Sequence, residues 1–309
     1  MARHLEPAAA PAAATDPSAG PEAGLAAEVA RRVGSQREAA WIVEHVTAGV
    51  PDPSVRRDAA LALADRRAAG EPLQYVLGTW QFRALELAVD RRVLIPRPET
   101  EQVVEVALDE LARVAGGRSD HGPVVAVDLG TGSGAIALSL AVEGAARVAP
   151  ARLEVWATDR SSDALAVTRA NLAGLAGTEP GAAGRVTVVE GDWFDALPDR
   201  LARRVDLVVA NPPYVSEEEY DGLDPSVRDW EPVGALVAPR GSSGVAGLAD
   251  VEAVVAGAAR WLRPAGALVV ELAPAQAYGA IDVARRAGFV RVGTARDLAG
   301  RLRMLVAER

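Results

Sequence analysis

From residue 124 onward the chain alternates short, almost unbroken apolar runs with stretches of helical period, and few folds accept that rhythm. The runs lie at 124–129, 153–158, 186–190, 205–210 and 267–272. A strand that is apolar on both faces needs cover on both faces. The stretches 135–142, 163–173 and 248–261 have the helical spacing to supply it. Strand and helix taken in turn predict an α/β domain built on a largely parallel sheet. Two last runs, 289–294 and 303–307, are joined by "ARDLAGRL" and predict an antiparallel pair, which brings the sheet to seven strands.

The chain upstream is different. Residues 1–24 hold a Pro/Ala/Gly tract that is expected to be disordered and lacks the apolar core of a signal peptide. Residues 25–70 have helical spacing, and "SVRRDAALALADRRAAG" stops at Gly70 as at a C-terminal cap, so a small helical domain is predicted. Tyr75, Trp80, Phe82, Leu85, Leu87 and Val89 alternate within 71–98, which predicts a β-hairpin linker. "LIPRPETE" (94–101) then reads as a proline-stiffened turn into a helix over 100–115, opening a main domain that spans 99–309. Arg97 and Glu99 in this turn stand either at the mouth of a site or in an interdomain ion pair.

Composition removes several classes of function. There is no cysteine, hence no disulfide, thiolate nucleophile or Cys-type zinc site, and the three histidines are scattered, so no metal is expected. All non-histidine cations are arginine, and the formal net charge is −9, which disfavours a protein that binds by neutralising phosphates. No charge-free apolar stretch is long enough to span a bilayer, and a soluble cytoplasmic protein is expected.

"VVAVDLGTGSGAIAL" sets Gly130, Gly132 and Gly134, with Thr131 and Ser133 between them, at the turn from the first strand to its helix. Glycines there let backbone N–H groups and a helix N-terminus approach a ligand. The spacing is neither the dinucleotide fingerprint nor the Walker loop. Asp128 just before it suits a ligand carrying an ammonium group, such as S-adenosylmethionine; a tight turn without ligand is the plain alternative. Asp159 closes the second strand, where an acid commonly accepts from ribose hydroxyls, with Ser161 or Ser162 left to cap the next helix. Asp192 after the third strand could accept from an adenine amino group, and Trp193 or Phe194 could wall the ring. Ordinary core packing is the alternative for Trp193.

The fourth strand ends abruptly at "NPPY". Two prolines stop strand and helix alike, and hold Asn211 on a stiff extended turn. Ligands bind at the carboxyl ends of strands in such sheets, so Asn211 should face the glycine loop. The Asn211 amide oxygen and the Pro212 carbonyl could accept the two hydrogens of a planar nitrogen nucleophile, Pro213 would stiffen the turn, and Tyr214 could lie against the planar group. A Pro-Pro turn without chemistry is the plain alternative, since Asn-Pro is common in turns.

Over residues 71–309 the chain resembles the HemK/PrmC group of protein N5-glutamine methyltransferases. The resemblance is carried by "EPLQYVLGTWQF", "LIPRPETE", "DLGTGSGAIALSLA", "GDWFDAL", "NPPYV", "VRDWEP" and "DLAGRLR". It implies a seven-stranded Rossmann-like methyltransferase domain using S-adenosyl-L-methionine, and a substrate glutamine in the GGQ motif of peptide chain release factors. By the same resemblance Gly130 to Gly134, Asp159, Trp193 and Asn211 contact the cofactor, Asn211 to Tyr214 grip the glutamine, and the helical domain over 25–70 helps to hold the release factor. That helical domain is short beside the family's, and "VAPRGSSGVAGLADV" replaces a tighter link. A monomer without direct nucleic-acid contact is expected. An adenine-N6 nucleic-acid methyltransferase would share NPPY but call for a basic face; a non-catalytic binder of the same cofactor and a nicotinamide dehydrogenase complete the alternatives.

Overall fold

The computed structural model describes residues 21–148 and 152–309. The chain divides into two units between Leu77 and Gly78. The first consists of helices α1 (Pro21–Val33), α2 (Gln36–Gly49), α3 (Pro53–Ala68) and α4 (Leu73–Leu77). Most of the tail expected to be disordered lies outside the described residues, but residues 21–24 belong to α1. A proline at a helix start loses no internal hydrogen bond, so the Pro-rich composition extends into the helix here. Ser35 caps α2 by accepting from Glu38 N, and Asp52 caps α3 ahead of Pro53. Gly70 takes φ +97 beyond the end of α3, a conformation only glycine reaches cheaply. Val29, Ile42, Val46, Ala60 and Ala64 form this unit's core. Arg67–Glu38 and Arg57–Glu28 pairs, each at 2.8 Å, join its helices.

The second unit opens with a hairpin, β1 (Thr79–Phe82) and β2 (Leu85–Ala88). The expectation of a linker over 71–98 is corrected on two counts. Residues 73–77 form α4 of the first unit, and the hairpin is part of the second. Alternation over six residues cannot distinguish a linker from a hairpin docked on a domain; here Phe82, Leu85 and Leu87 are buried in the domain core.

The chain continues through α5 (Pro98–Gly116), β3 (Val124–Leu129), α6 (Ala135–Arg147), β4 (Leu153–Asp159), α7 (Ser162–Thr178), α8 (Pro180–Ala183), β5 (Val186–Glu190) and β6 (Val205–Ala210). Two short helices, α9 (Glu217–Tyr220) and α10 (Pro225–Arg228), lie in and just after the acid-rich stretch "SEEEYDGLD" that follows NPPY. After them come α11 (Ala249–Trp261), β7 (Leu262–Glu271), α12 (Ala277–Arg286), β8 (Arg291–Arg296) and β9 (Leu302–Glu308). The sheet order is β5-β4-β3-β6-β7-β9-β8. Pairings from β5 to β7 are parallel, and β9 runs antiparallel between β7 and β8. This is the seven-stranded α/β sheet that the apolar runs predict.

Alternate residues of β3 enter opposite cores. Val124 and Ala126 meet α5 and α6, while Val125, Val127 and Leu129 belong to the layer of α11 and α12. The chain leaves β3 for one sheet edge and later returns beside it as β6, so the carboxyl ends of these two strands frame the switch-point crevice. Among the described residues no helix is long and apolar enough to cross a membrane.

One charge interrupts the apolar run of β6. Asp206 is fully buried and accepts from Arg118 Nη1 at 2.9 Å, Arg263 Nη1 at 3.2 Å and Val125 N at 2.8 Å. Burial raises its pKa from the usual carboxylate range, against the opposing pull of that amide and the two guanidiniums. Removing the carboxylate charge leaves two cations facing a neutral group in a dry site. Asp206→Asn is therefore expected to lower stability by about 3 kcal/mol, read from urea unfolding.

Candidate active site

The glycine loop stays open because three of its residues adopt left-handed backbone, with φ of +70, +57 and +87 at Gly130, Gly132 and Gly134. Its polar groups are claimed from three sides. Asp159 accepts from Gly132 N and from Ser161 N, both at 2.9 Å. Thr168 donates to the Gly132 carbonyl at 2.6 Å, and Asn171 Nδ2 donates to the Ser133 carbonyl at 2.8 Å. Asn171 also exchanges hydrogen bonds with the Ala88 backbone, at 2.7 and 3.0 Å, so the same amide fixes the hairpin and the loop.

Asp128 lies beneath this loop. It is buried completely; Oδ2 accepts from Thr131 Oγ1 at 2.6 Å and from Ala137 N at 3.1 Å, and burial pushes its pKa up to about 7. The expectation that Asp128 meets a ligand ammonium directly is corrected: it is absent from the cleft wall, because strand alternation turns its side chain into the interior. It shapes the loop from below. Gly134 is likewise buried, with the methyl of Thr168 occupying the space beside its Cα.

Gly130, Thr131, Gly132, Ser133, Asp159, Asp192, Trp193, Asn211 and Pro213 all line one cleft. Trp193 and Phe194 point to different places. Trp193 takes φ +46 and sets its ring beside Gly130, whereas Phe194 is buried and stacks on Trp261 of α11 at 6.1 Å between centroids. Ser161 caps α7, as expected, but Asp159 is not left free by that arrangement: its two oxygens already brace the loop and the turn. Each oxygen keeps a second lone pair for a ribose hydroxyl.

NPPY forms the opposite wall. Asn211 and Pro213 reach the cleft, whereas Pro212 is buried and Tyr214 is set back. The Tyr214 hydroxyl is 3.5 Å from Glu271 Oε1. Burial and that carboxylate push its pKa up to about 12, so it remains a neutral phenol. Gln276 Nε2 donates to the Tyr214 carbonyl at 2.9 Å, and Gly247 packs so closely on that carbonyl that a Cβ would collide with it. The stretch "VAPRGSSGVAGLADV" thus buttresses the turn.

Several residues that sequence reasoning missed complete the site. Leu94, Pro96 and Thr100 of "LIPRPETE" line the cleft, as do Pro232 and Gly234 after "WE". Arg97 pairs with the buried Glu231, which also accepts from Ile95 N at 3.2 Å, and this joins the two walls. Glu99 pairs with Arg301 at 2.9 Å. Both ion pairs lie within the second unit, which corrects the interdomain alternative. Glu271 is the largest omission: an acid closing β7, visible in the sequence as the one charge in "ALVVELA".

The cleft fits S-adenosylmethionine. A Cβ on Gly132 would meet nothing within 4 Å, so the loop presents bare backbone to open space. Around that space stand carboxylates for hydroxyl and amino donors and an indole for a base. Gly132→Ala places a methyl group there and strains a left-handed residue by about 1 kcal/mol. Calorimetry is expected to read cofactor affinity at least about tenfold weaker, with the fold retained.

The family described as methyltransferase small domain matches residues 119–223. Release factor glutamine methyltransferase of Gloeobacter violaceus is 41% identical over 236 residues, covering 76% of this chain and 73% of that protein. The protein of the same name in Bordetella pertussis is 39% identical over 264 residues, covering 85% of this chain and 87% of its own. That of Burkholderia pseudomallei is 41% identical over 250 residues, with 81% and 80% covered. With such identity across a folded cleft of this kind, the chain belongs to the release factor glutamine methyltransferase family.

Proposed function

We propose that this protein methylates the side-chain amide nitrogen (N5) of a glutamine in a protein substrate, the glutamine of the GGQ motif in peptide chain release factors. S-adenosylmethionine supplies an electrophilic methyl group on a sulfonium. Support comes above all from one arrangement: Asn211 shares a cleft with the glycine loop, Asp159 and Trp193, in a chain of this family.

The residues divide the work. Gly130 to Ser133 bring bare backbone up to the cofactor, with the Thr131 and Gly132 amides already held by Thr158 and Asp159. Asp159 accepts from ribose hydroxyls, Asp192 accepts from the adenine amino group, and Trp193 covers the ring. Asn211 Oδ1 and the Pro212 carbonyl accept the two hydrogens of the substrate amide and turn its nitrogen lone pair toward the methyl carbon. Pro213 stiffens the turn, and Tyr214 supports it from behind. An amide nitrogen is hardly basic, so fixed acceptors that stabilise developing positive charge must carry the rate enhancement. As the N–C bond forms, the S–CH3 bond of the sulfonium breaks and its electron pair stays on sulfur, so that a neutral thioether departs. The surplus proton then passes from the nitrogen to solvent water.

The net charge of −9 supports a protein substrate over a nucleic acid. We infer that the protein acts as a monomer in the cytoplasm, where release factors work.

The test uses methyl-labelled S-adenosylmethionine with intact release factor and with a variant whose GGQ glutamine is alanine. Label is expected on the intact factor alone, with kcat at least about 100-fold lower for Asn211→Ala. Equal labelling of both factors would overturn the reading.

A further inference from the structure

Behind Asn211 is a chain of hydrogen bonds that the proposed chemistry does not use directly. Asn211 Nδ2 donates to Thr100 Oγ1 at 3.2 Å. Thr100 Oγ1 in turn donates to Glu271 Oε2 at 2.7 Å. Thr100 is in the first turn of α5, and Glu271 closes β7, next to the strand that delivers Asn211. Thr100 and Glu271 are both buried.

A carboxamide is nearly symmetrical in shape, so sterics alone do not decide which end faces the cleft. A threonine hydroxyl has one proton. Once that proton is given to a carboxylate, Oγ1 offers lone pairs only, and only the NH2 end of Asn211 can pair with it. The oxygen is then left for the cleft. Were Glu271 protonated, it could donate to Thr100 instead. The freed hydroxyl proton would then favour Asn211 Oδ1, and the amide would present donors where the substrate needs an acceptor.

We propose that Glu271, acting through Thr100, is a positioning residue that fixes the Asn211 carboxamide with its oxygen toward the substrate. The inference rests on the glutamine-methylation reading for its kinetic arm only. Groups facing Glu271 are Glu99 and Thr100 from α5, Tyr214 from the turn after β6, and Arg303 from β9. Burial outweighs Thr100 and Arg303 and pushes the Glu271 pKa up to about 7. A raised carboxylate pKa means that protons bind as pH falls through that value, so the wrong amide orientation gains population on the acid side.

The first test needs neither substrate nor cofactor. The chain has two asparagines, Asn171 and Asn211, so asparagine-selective ¹⁵N labelling gives two side-chain NH2 pairs, assigned by Asn211→Ala. The Asn211 pair is expected to shift with a midpoint near pH 7, and Glu271→Gln is expected to abolish the titration. An Asn211 pair that does not move between pH 5.5 and 8.5, or that titrates unchanged in Glu271→Gln, overturns the proposal.

The second test is kinetic. Thr100→Val is expected to lower kcat at least about tenfold with cofactor affinity within threefold of wild type, and Thr100→Ser to restore kcat to within threefold. The acid limb of the wild-type kcat profile is expected to vanish in Glu271→Gln. Thr100→Ser as slow as Thr100→Val overturns the positioning role. A wild-type protein that binds cofactor but leaves the release factor unlabelled defeats the glutamine reading instead, and the ¹⁵N titration still decides this one.

Discussion

A glycine loop has no shape of its own. Three left-handed glycines within five residues leave the backbone between β3 and α6 free to take many conformations, and fixing each residue costs about 1–2 kcal/mol of entropy. The loop is ordered because its polar groups are spoken for from outside: Gly132 N by Asp159, the Gly132 carbonyl by Thr168, the Ser133 carbonyl by Asn171 and the Thr131 hydroxyl by Asp128. Everything the cleft offers a ligand depends on this set of bonds. With carbonyls drawn toward α7 and the β4 carboxylate holding one amide, open space remains over Gly132.

What could be read from the sequence follows from what each signal measures. Continuous apolar runs located the central strands well, since a strand covered on both faces admits few polar residues. The run expected over 267–272 begins earlier, at Leu262, because Pro264 masked a strand whose register shifts between its pairing at Leu262 and at Ala267. Helix α12 is hard to see in sequence because it is only ten residues long and its fully buried positions, Ala277, Ala280 and Ala284, are alanines rather than large apolar residues. In the site, residues of the glycine loop and of NPPY were legible, and residues that reach them from another segment, Thr100 of the proline-stiffened turn among them, were not. Thr168 and Asn171 sit on a helix face where nothing local marks them, and the lone charge that marks Glu271 in "ALVVELA" does not say what it faces. Asp128 is adjacent to the glycine loop in sequence, but sequence gives the position of a residue at a loop and not the side to which the strand's pleat sends it.

The three buried acids of the sheet show how context separates one side chain into different functions. Asp206 is paid for by two guanidiniums and an amide, and serves the base of the sheet. Asp128 has a hydroxyl and an amide on one oxygen and no hydrogen-bond partner on the other among the described residues. Glu271 has no arginine within salt-bridge distance among the described residues, only the Thr100 hydroxyl and the long contact to Tyr214. Full ion pairing keeps a carboxylate charged across the neutral range, whereas hydroxyl partners leave it able to titrate. The first arrangement suits stability, and the last suits a group whose charge state matters to its neighbours.

This difference bears on how a site without a base can work. No histidine lines the cleft, and the nucleophile proposed is an amide whose lone pair is delocalised. Proton abstraction in the ground state would demand a base far stronger than any side chain available, so the remaining resource is orientation. Orientation by an asparagine has a weakness, because either end of the carboxamide fits the same space. NPPY restrains the backbone of that residue and of the turn after it, but does not act on its χ2 torsion. The missing constraint must come from a group that distinguishes donor from acceptor. A hydroxyl whose proton is already committed does so, and Thr100, brought to Asn211 by the proline-stiffened start of α5, stands in that position. The pairing of "LIPRPET" with "NPPY" in one chain then has a physical basis: the first motif supplies the polarity that the second cannot set for itself.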